Sequence, residues 1–202
     1  MKLYFYPGAC SMAPHIVLRE AGFSFDLDKV DFATRKTGSG EDYGKINPKG
    51  YVPAVKLDDG QVFTEVGVII QYLADQKPES GLAPKAGTME RYRLMEWLNF
   101  VATEIHKQFS PFFNPKTPPE WKENQINLLG RRFDYLESHF AAYPYLLGDQ
   151  FTVADAYLFT VLNWTHLHKI DLGKWPKLKE YLARIAARPA VKETMKAEGL
   201  IK

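Results

Sequence analysis

One cysteine in 202 residues, Cys10, leaves no intramolecular disulfide to form. A lone thiol is at home in a reducing compartment, so the cytosol is the expected location. No apolar run approaches the ~18 residues of a membrane helix. Leu3 to Tyr6, cut off by Pro7-Gly8, is far short of the ~7–15 apolar residues of a signal peptide. Neither export by that route nor a membrane span is therefore expected. An excess of one charge is lacking as well: 26 basic residues stand against 24 acidic ones, a net charge of +2. With Lys and Arg evenly spread and no basic run interleaved with aromatics, neither nucleic acid nor a membrane surface is an expected partner. The G-x-G-x-x-G and P-loop fingerprints of nucleotide sites do not occur, and there is no internal repeat or low-complexity segment. What remains is an ordinary globular composition, 46% hydrophobic and 25% charged. The length allows one domain or two small ones, with room for a substantial core.

The first part of the chain alternates strand and helix signals. Leu3 to Tyr6 reads as a short strand ended by Pro7-Gly8, and Met12 to Ala21 as a helix stopped at Gly22. Phe23, Phe25 and Leu27 alternate with Ser24, Asp26 and Asp28, the period of a half-buried strand. A polar stretch from Arg35 to Lys49 reads as loop. Ala54 to Leu57 and Val62 to Thr64 flank Asp58-Asp59-Gly60, a hairpin signal, and Val66, Ile69, Ile70 and Leu73 form a helical stripe. The spacing thus predicts β-α-β, a loop, then β-β-α over residues 1–76. Residues 77–87, with Pro78, Gly81, Pro84 and Gly87, read as a linker. Residues 88–202 read as an all-helical domain, with stripes at Tyr92, Met95, Leu98, Ala102, Ile105 and Phe109, then at Ile126, Leu129, Phe133, Leu136 and Phe140. A later helix at Leu178, Leu182 and Ile185 is expected to end before Pro189. Thr152 and Asp155 have the spacing of a capping box, with Phe151 and Ala156 as a weak staple, which is a folding role.

Three constellations could carry chemistry. Cys10 lies where the first strand turns through Pro7-Gly8-Ala9 into a helix, whose N-terminal dipole favours a thiolate; a small buried hydrophobe is the alternative reading. Cys10-Ser11-Met12-Ala13 lacks a second cysteine, so redox chemistry there requires an external thiol. In Asn47-Pro48-Lys49-Gly50-Tyr51-Val52-Pro53, a proline just before a strand either turns the Val52 backbone toward a peptide-like ligand or simply opens the strand. Thr64-Glu65-Val66 starts a helix, where backbone N–H groups suit a carboxylate and Glu65 suits an ammonium; Glu65 as a plain first-turn acid is the other reading. His166 and His168 are two apart and would diverge on a helix, so no metal pair is expected.

Together these residues carry a resemblance. Residues 1–76 resemble the thioredoxin-like domain of glutathione transferases, and Tyr4 to Ser11 is similar in particular to the bacterial beta class. Trp97-Leu98-Asn99-Phe100, Thr103 to Lys107, Ser110-Pro111-Phe112-Phe113 and Thr152 to Leu158 resemble helical segments of that class in order and spacing, so the likeness spans the whole chain. The resemblance implies an α/β thioredoxin-like domain followed by an all-α domain, a homodimer, and a detoxifying role. It implies glutathione, γ-Glu-Cys-Gly, as co-substrate, and no metal. Glutathione would meet Ala9, Cys10, Arg35, Tyr51, Val52, Glu65, Val66, Asn99, Thr103, Glu104, His106 and Lys107. Cys10, Ser11 and His106 are the implied catalytic residues, with Thr103 and Glu104 as candidates for reaching the neighbouring subunit's site. Phe109, Phe113 and Trp164 are the implied apolar wall for a second substrate. Val66 departs from the pattern, where many members carry Ser and beta-class ones often Gly. The expected activity is conjugation of the glutathione thiol to apolar electrophiles, with thiol-disulfide exchange through Cys10 beside it. A monothiol glutaredoxin-like oxidoreductase and a non-catalytic adaptor or ligand carrier are the rival readings.

Overall fold

A computed structural model describes residues 1–202. The chain divides into two compact units, Met1–Ala83 with Arg188–Lys202, and Pro84–Ala187.

In the first unit, β1 (Lys2–Phe5) runs into α1 (Met12–Glu20) and returns as β2 (Asp26–Asp31), parallel to β1 with Leu3 opposite Leu27. β4 (Ala54–Lys56) lies antiparallel on the other side of β1 and turns into β5 (Val62–Thr64), with Ala54 opposite Thr64. The expected hairpin is closed by Leu57 N–H donating to the Gln61 carbonyl at 2.8 Å. With β3 (Lys36–Thr37) at the far edge, the sheet order is β3-β2-β1-β4-β5. α3 (Val66–Gln76) buries Val66, Ile69, Ile70 and Leu73 and packs against α1. This mixed sheet with its parallel β1-α1-β2 crossover is thioredoxin-like, as the resemblance implies.

Three details differ from the sequence reading. The second strand begins at Asp26, where the N–H bonds the Met1 carbonyl at 3.0 Å, and not at Phe23; Phe25 instead sets its ring edge-on to His15 at 5.6 Å. The stretch read as loop contains β3 and the one-turn α2 (Tyr43–Ile46), both too short to show a period. Asp42 caps α2 by accepting from Gly44 N–H at 2.9 Å. The third difference is the last helix, α10 (Pro189–Ala197), which the sequence reading assigned to the helical domain. It belongs to the first unit, packed on α1, with Arg188 donating to both carboxylate oxygens of Glu20 at 2.7 and 2.8 Å. Pro189 does terminate the preceding helix, and it also opens this one, because a proline at the first helical position gives up only an N–H that has no helical partner.

The second unit is helical. α4 (Met89–Phe100) continues through a π-helical segment (Val101–His106) into α5 (Lys107–Phe113), followed by α6 (Pro119–Ala142), α7 (Val153–Leu162), α8 (Trp164–Leu167) and α9 (Pro176–Ala186). The first stripe holds at Leu98, Ile105 and Phe109, but Leu94 and Val101 are buried in place of Met95 and Ala102. Leu94, Leu98, Val101, Ile105 and Phe109 are buried, whereas Tyr92 and Met95 are 58% and 44% exposed. In α6, Leu129, Phe133, Leu136 and Phe140 are buried as expected, but Ile126 is exposed and Gln125 takes its place. α7 is buried on every side and starts at the anticipated capping box, where Asp155 Oδ2 accepts the Thr152 N–H at 2.8 Å.

Candidate functional site

The turn between β1 and α1 is held by its own polar groups. Ala9 N–H donates to the Tyr6 carbonyl at 3.0 Å, and Ser11 Oγ accepts from Tyr6 N–H at 3.1 Å while donating to the Tyr6 carbonyl at 3.2 Å. Ser11 is fully buried. Its hydroxyl closes the turn onto Tyr6. Cys10, partly exposed at the start of α1, has its thiol 3.2 Å from the Val52 carbonyl, so the sequence's first two constellations meet.

The Asn47–Pro53 loop is anchored from beneath. Buried Asn47 donates through Nδ2 to the Tyr51 carbonyl at 2.6 Å and accepts Lys49 N–H at 3.2 Å, and Tyr43 O–H donates to the same Tyr51 carbonyl at 2.7 Å. Burial pushes Tyr43 up to about 12, so it remains a donor at neutral pH. The Val52–Pro53 peptide is cis, and Val52 packs in a cluster with Tyr4, Val30, Tyr43 and Ala54 against which Ala9 leans. The Tyr51 ring itself is exposed.

The pairing of Ala54 with Thr64 brings the Val52 end of β4 beside Glu65. Glu65 caps α3 from a left-handed backbone, φ +70, with an exposed carboxylate. Lys49 Nζ donates to Glu65 Oε1 at 2.6 Å and to Thr64 Oγ1 at 2.9 Å. The N–H groups of a first helical turn have no carbonyl partner within the helix. Here that turn is open, since a side chain added at Gly67 would meet nothing within 4 Å. An N-terminus with a lysine and a glutamate beside it can take a carboxylate and an ammonium together. Arg35 is not shown in this group: it is exposed, at φ +58, and its carbonyl accepts Tyr43 N–H at 2.9 Å.

In the helical unit, Phe109, Phe113 and Trp164 do come together. Trp164 meets Phe109 at 5.6 Å and Phe113 at 5.0 Å, both edge-on, and His106 at 5.0 Å. Phe109 and Trp164 are buried, whereas Phe113 stays half-exposed. His106, at the end of the π segment, shares a 2.7 Å hydrogen bond between Nδ1 and Tyr157 O–H. Glu104 accepts from Arg132 Nε at 2.8 Å, and Thr103 Oγ1 donates to the Asn99 carbonyl at 3.0 Å. Thr103 and Lys107 are exposed.

The comparisons with known proteins follow both units. Residues 8–76 match the glutathione S-transferase N-terminal domain and residues 100–189 the C-terminal domain. Glutathione S-transferase GstA of Escherichia coli O157:H7 is 44% identical, with 99% of this chain and 100% of the relative covered. The chain belongs to the glutathione S-transferase family. Its solved relatives include a glutathione transferase from Methylococcus capsulatus, 63% identical with a TM-score of 0.97 and 99% of each chain covered. Two more, each 46% identical with a TM-score of 0.96 and full coverage of both chains, are the beta class glutathione S-transferase of Sphingomonas chungbukensis and a sphingomonad glutathione S-transferase complexed with glutathione.

Some residues of these two groupings had no site role in the sequence reading. Lys49 lies inside a motif noted for its prolines, and its partner Glu65 is 16 positions away. Tyr43 sat in the stretch read as loop. Phe112 and His168 join the aromatic cluster, His168 meeting Phe113 at 4.7 Å and Phe112 at 5.3 Å. The spacing of four between Trp164 and His168 was the available signal, because it puts both on one helical face. Burial first, and Lys122 second, pull His168 below its ordinary value, so it behaves as an uncharged ring near neutrality.

Proposed function

We propose that this glutathione S-transferase conjugates the thiol of glutathione to apolar electrophiles. The supporting observation is the grouping of Cys10, the Val52 backbone and the open α3 N-terminus with Glu65 and Lys49 in one unit. In this reading Glu65 takes the γ-glutamyl ammonium and the Val66 N–H its carboxylate. The Val52 backbone pairs with the cysteinyl residue, which directs the glutathione sulfur to Cys10. Ala9 and Tyr51 border the tripeptide through their backbones, and Arg35 acts at longer range by its charge. The beta-class resemblance adds Asn99, Thr103, Glu104, His106 and Lys107; Glu104 would have to leave or share Arg132 to take part.

Backbone dipoles at the start of α1 stabilise a sulfur anion. The glutathione thiol gives its proton to solvent, and the thiolate attacks an electrophilic carbon. A C–S bond forms as the bond to the leaving group breaks, and the leaving group departs with the electron pair. Phe113 and Phe112, backed by buried Phe109 and Trp164, offer an apolar wall for the electrophile. No metal enters this scheme.

Thiol-disulfide exchange is a second activity of the same thiol. Cys10 thiolate attacks the glutathione sulfur of a mixed disulfide, forming Cys10–S–S–glutathione and releasing the substrate thiolate. A second glutathione thiolate then attacks, yielding oxidised glutathione and regenerating Cys10. A cytoplasmic homodimer in detoxification fits this chemistry, and exposed Tyr92, Met95 and Tyr135 are suited to meeting a second copy. A test is titration of glutathione into wild type and Glu65→Gln: unaltered affinity in the variant removes the proposed ammonium site.

A further inference from the structure

The last helix ends on a carboxylate that has no part in the chemistry above. Glu198, the C-cap of α10, is buried, and both its oxygens are taken by the other end of the chain. Oε2 accepts the backbone N–H of Gly8 at 2.8 Å, and Oε1 lies 2.8 Å from Nδ1 of fully buried His15. The other ring nitrogen, Nε2, accepts from Arg19 Nε at 3.1 Å. Arginine can only donate, so Nε2 is the bare nitrogen and Nδ1 carries the proton that is given to Glu198. Glu193, one turn earlier on α10, reaches Arg19 Nη1 at 3.4 Å.

A second contact converges on the same residue. Gly8 has φ +71, and a Cβ built there would lie 3.4 Å from Leu200 Cδ2. The segment beyond α10 therefore covers the turn from outside while Glu198 holds its N–H. Cys10 is two residues on, in a turn that is also tied to Tyr6 by Ala9 N–H and the Ser11 hydroxyl. Burying a carboxylate is unfavourable unless its bonds are complete, and breaking one leaves a buried donor unpaired.

We propose that Glu198 is a positioning residue for the Cys10 turn, fixing the Gly8 peptide so that the carboxyl-terminal segment acts on the thiol site without touching substrate. The consequence for glutathione rests on the placement of glutathione proposed above; the consequence for Cys10 itself does not.

The test compares Glu198→Ala, Glu198→Gln and Arg188→Gln. The last is the control, because it removes the ion pair with Glu20 that ties α10 to α1 and leaves the Glu198 carboxylate on Gly8 and His15. Three quantities are measured: KM for glutathione against kcat, the rate of Cys10 alkylation by iodoacetamide in ligand-free protein, and the thermal midpoint. Glu198→Ala is expected to raise KM about five- to tenfold, the equivalent of one hydrogen bond, with kcat less affected. Its alkylation rate should depart from wild type by a similar factor. Glu198→Gln should recover part of both, since its amide oxygen still takes one of the two donors. Arg188→Gln should lower the midpoint and leave KM and alkylation at wild-type values. Unchanged KM and alkylation in folded Glu198→Ala, or equal changes in Arg188→Gln, would overturn the proposal. Should wild type fail to turn over glutathione, the functional reading falls and the alkylation rates alone decide the positioning claim.

Discussion

Replacing Asp155 removes the acceptor of four buried hydrogen bonds. Its Oδ1 accepts from Leu146 N–H at 2.9 Å and Tyr181 O–H at 3.2 Å; its Oδ2 accepts from Thr152 N–H at 2.8 Å and Thr152 O–H at 3.0 Å. The two hydroxyls can turn elsewhere, but the two backbone N–H groups cannot. At about 1–3 kcal/mol for each orphaned donor, Asp155→Ala should lose about 3–5 kcal/mol. Asp155→Asn should lose less, because its amide oxygen serves Oδ1's two donors and only the Thr152 N–H is left facing an NH₂ group. The pH dependence provides a sharper check. Burial pushes Asp155 up to about 6 despite those four bonds. Its folded value is then above its unfolded one, so the folded state holds a proton between about pH 4 and 6 that the unfolded chain has released. The stabilisation from that proton is complete below about pH 4 and is lost as pH rises through about 6. Wild type should therefore gain on Asp155→Asn as pH falls from 7 to 4, by up to about 3 kcal/mol. Urea unfolding of both proteins across that range measures the gap directly, since all other titrations cancel in the difference. A gap that stays constant, or closes toward low pH, would refute the reasoning and mean that the four donors outweigh burial. Activity per folded molecule should be close to wild type in both variants at neutral pH, because Asp155 stabilises α7 and touches no substrate.

Val66→Pro should leave the fold intact, since proline suits the first helical position, while losing the charge-assisted hydrogen bond to the γ-glutamyl carboxylate, about 1.5–3 kcal/mol by calorimetry; unchanged affinity would move glutathione away from α3. Val66→Ser should tighten binding by about 1 kcal/mol through the added hydroxyl, and a lower thermal midpoint with no gain in affinity would show that Val66 only packs. Sedimentation at micromolar concentration should give about twice the 23.1 kDa chain mass, and a stable species at the chain mass contradicts the homodimer.

What the sequence reveals is mostly local. The β4–β5 hairpin is legible because Asp59-Gly60 sits between two apolar runs, and the Thr152–Asp155 box because both partners lie within one turn. The phase of the α4 stripe is not, because Tyr92-Met95 and Leu94-Leu98 both satisfy a three-and-four spacing and only packing chooses between them. Long-range partners are invisible for the same reason. Nothing near Glu198 marks Gly8 or His15, 190 and 183 positions away, so α10 reads as one more member of the helical run it follows. The hydroxyl of Ser11 has a partner that the sequence does not name. Its place beside Cys10 suggests a role at sulfur, and the structure adds bonds from its hydroxyl to Tyr6, five positions back.

The central claim is that glutathione's own thiol is the nucleophile in conjugation, with Cys10 the nucleophile only in exchange. Initial rates on one preparation test it, using glutathione with an activated aromatic halide and, separately, with a glutathione mixed disulfide, for wild type and Cys10→Ala. The account predicts both activities in wild type and, in Cys10→Ala, nearly complete loss of exchange with part of the conjugation retained. Equal loss of both would make Cys10 the sole nucleophile and favour the glutaredoxin-like reading, and no conjugation by wild type would contradict the account outright.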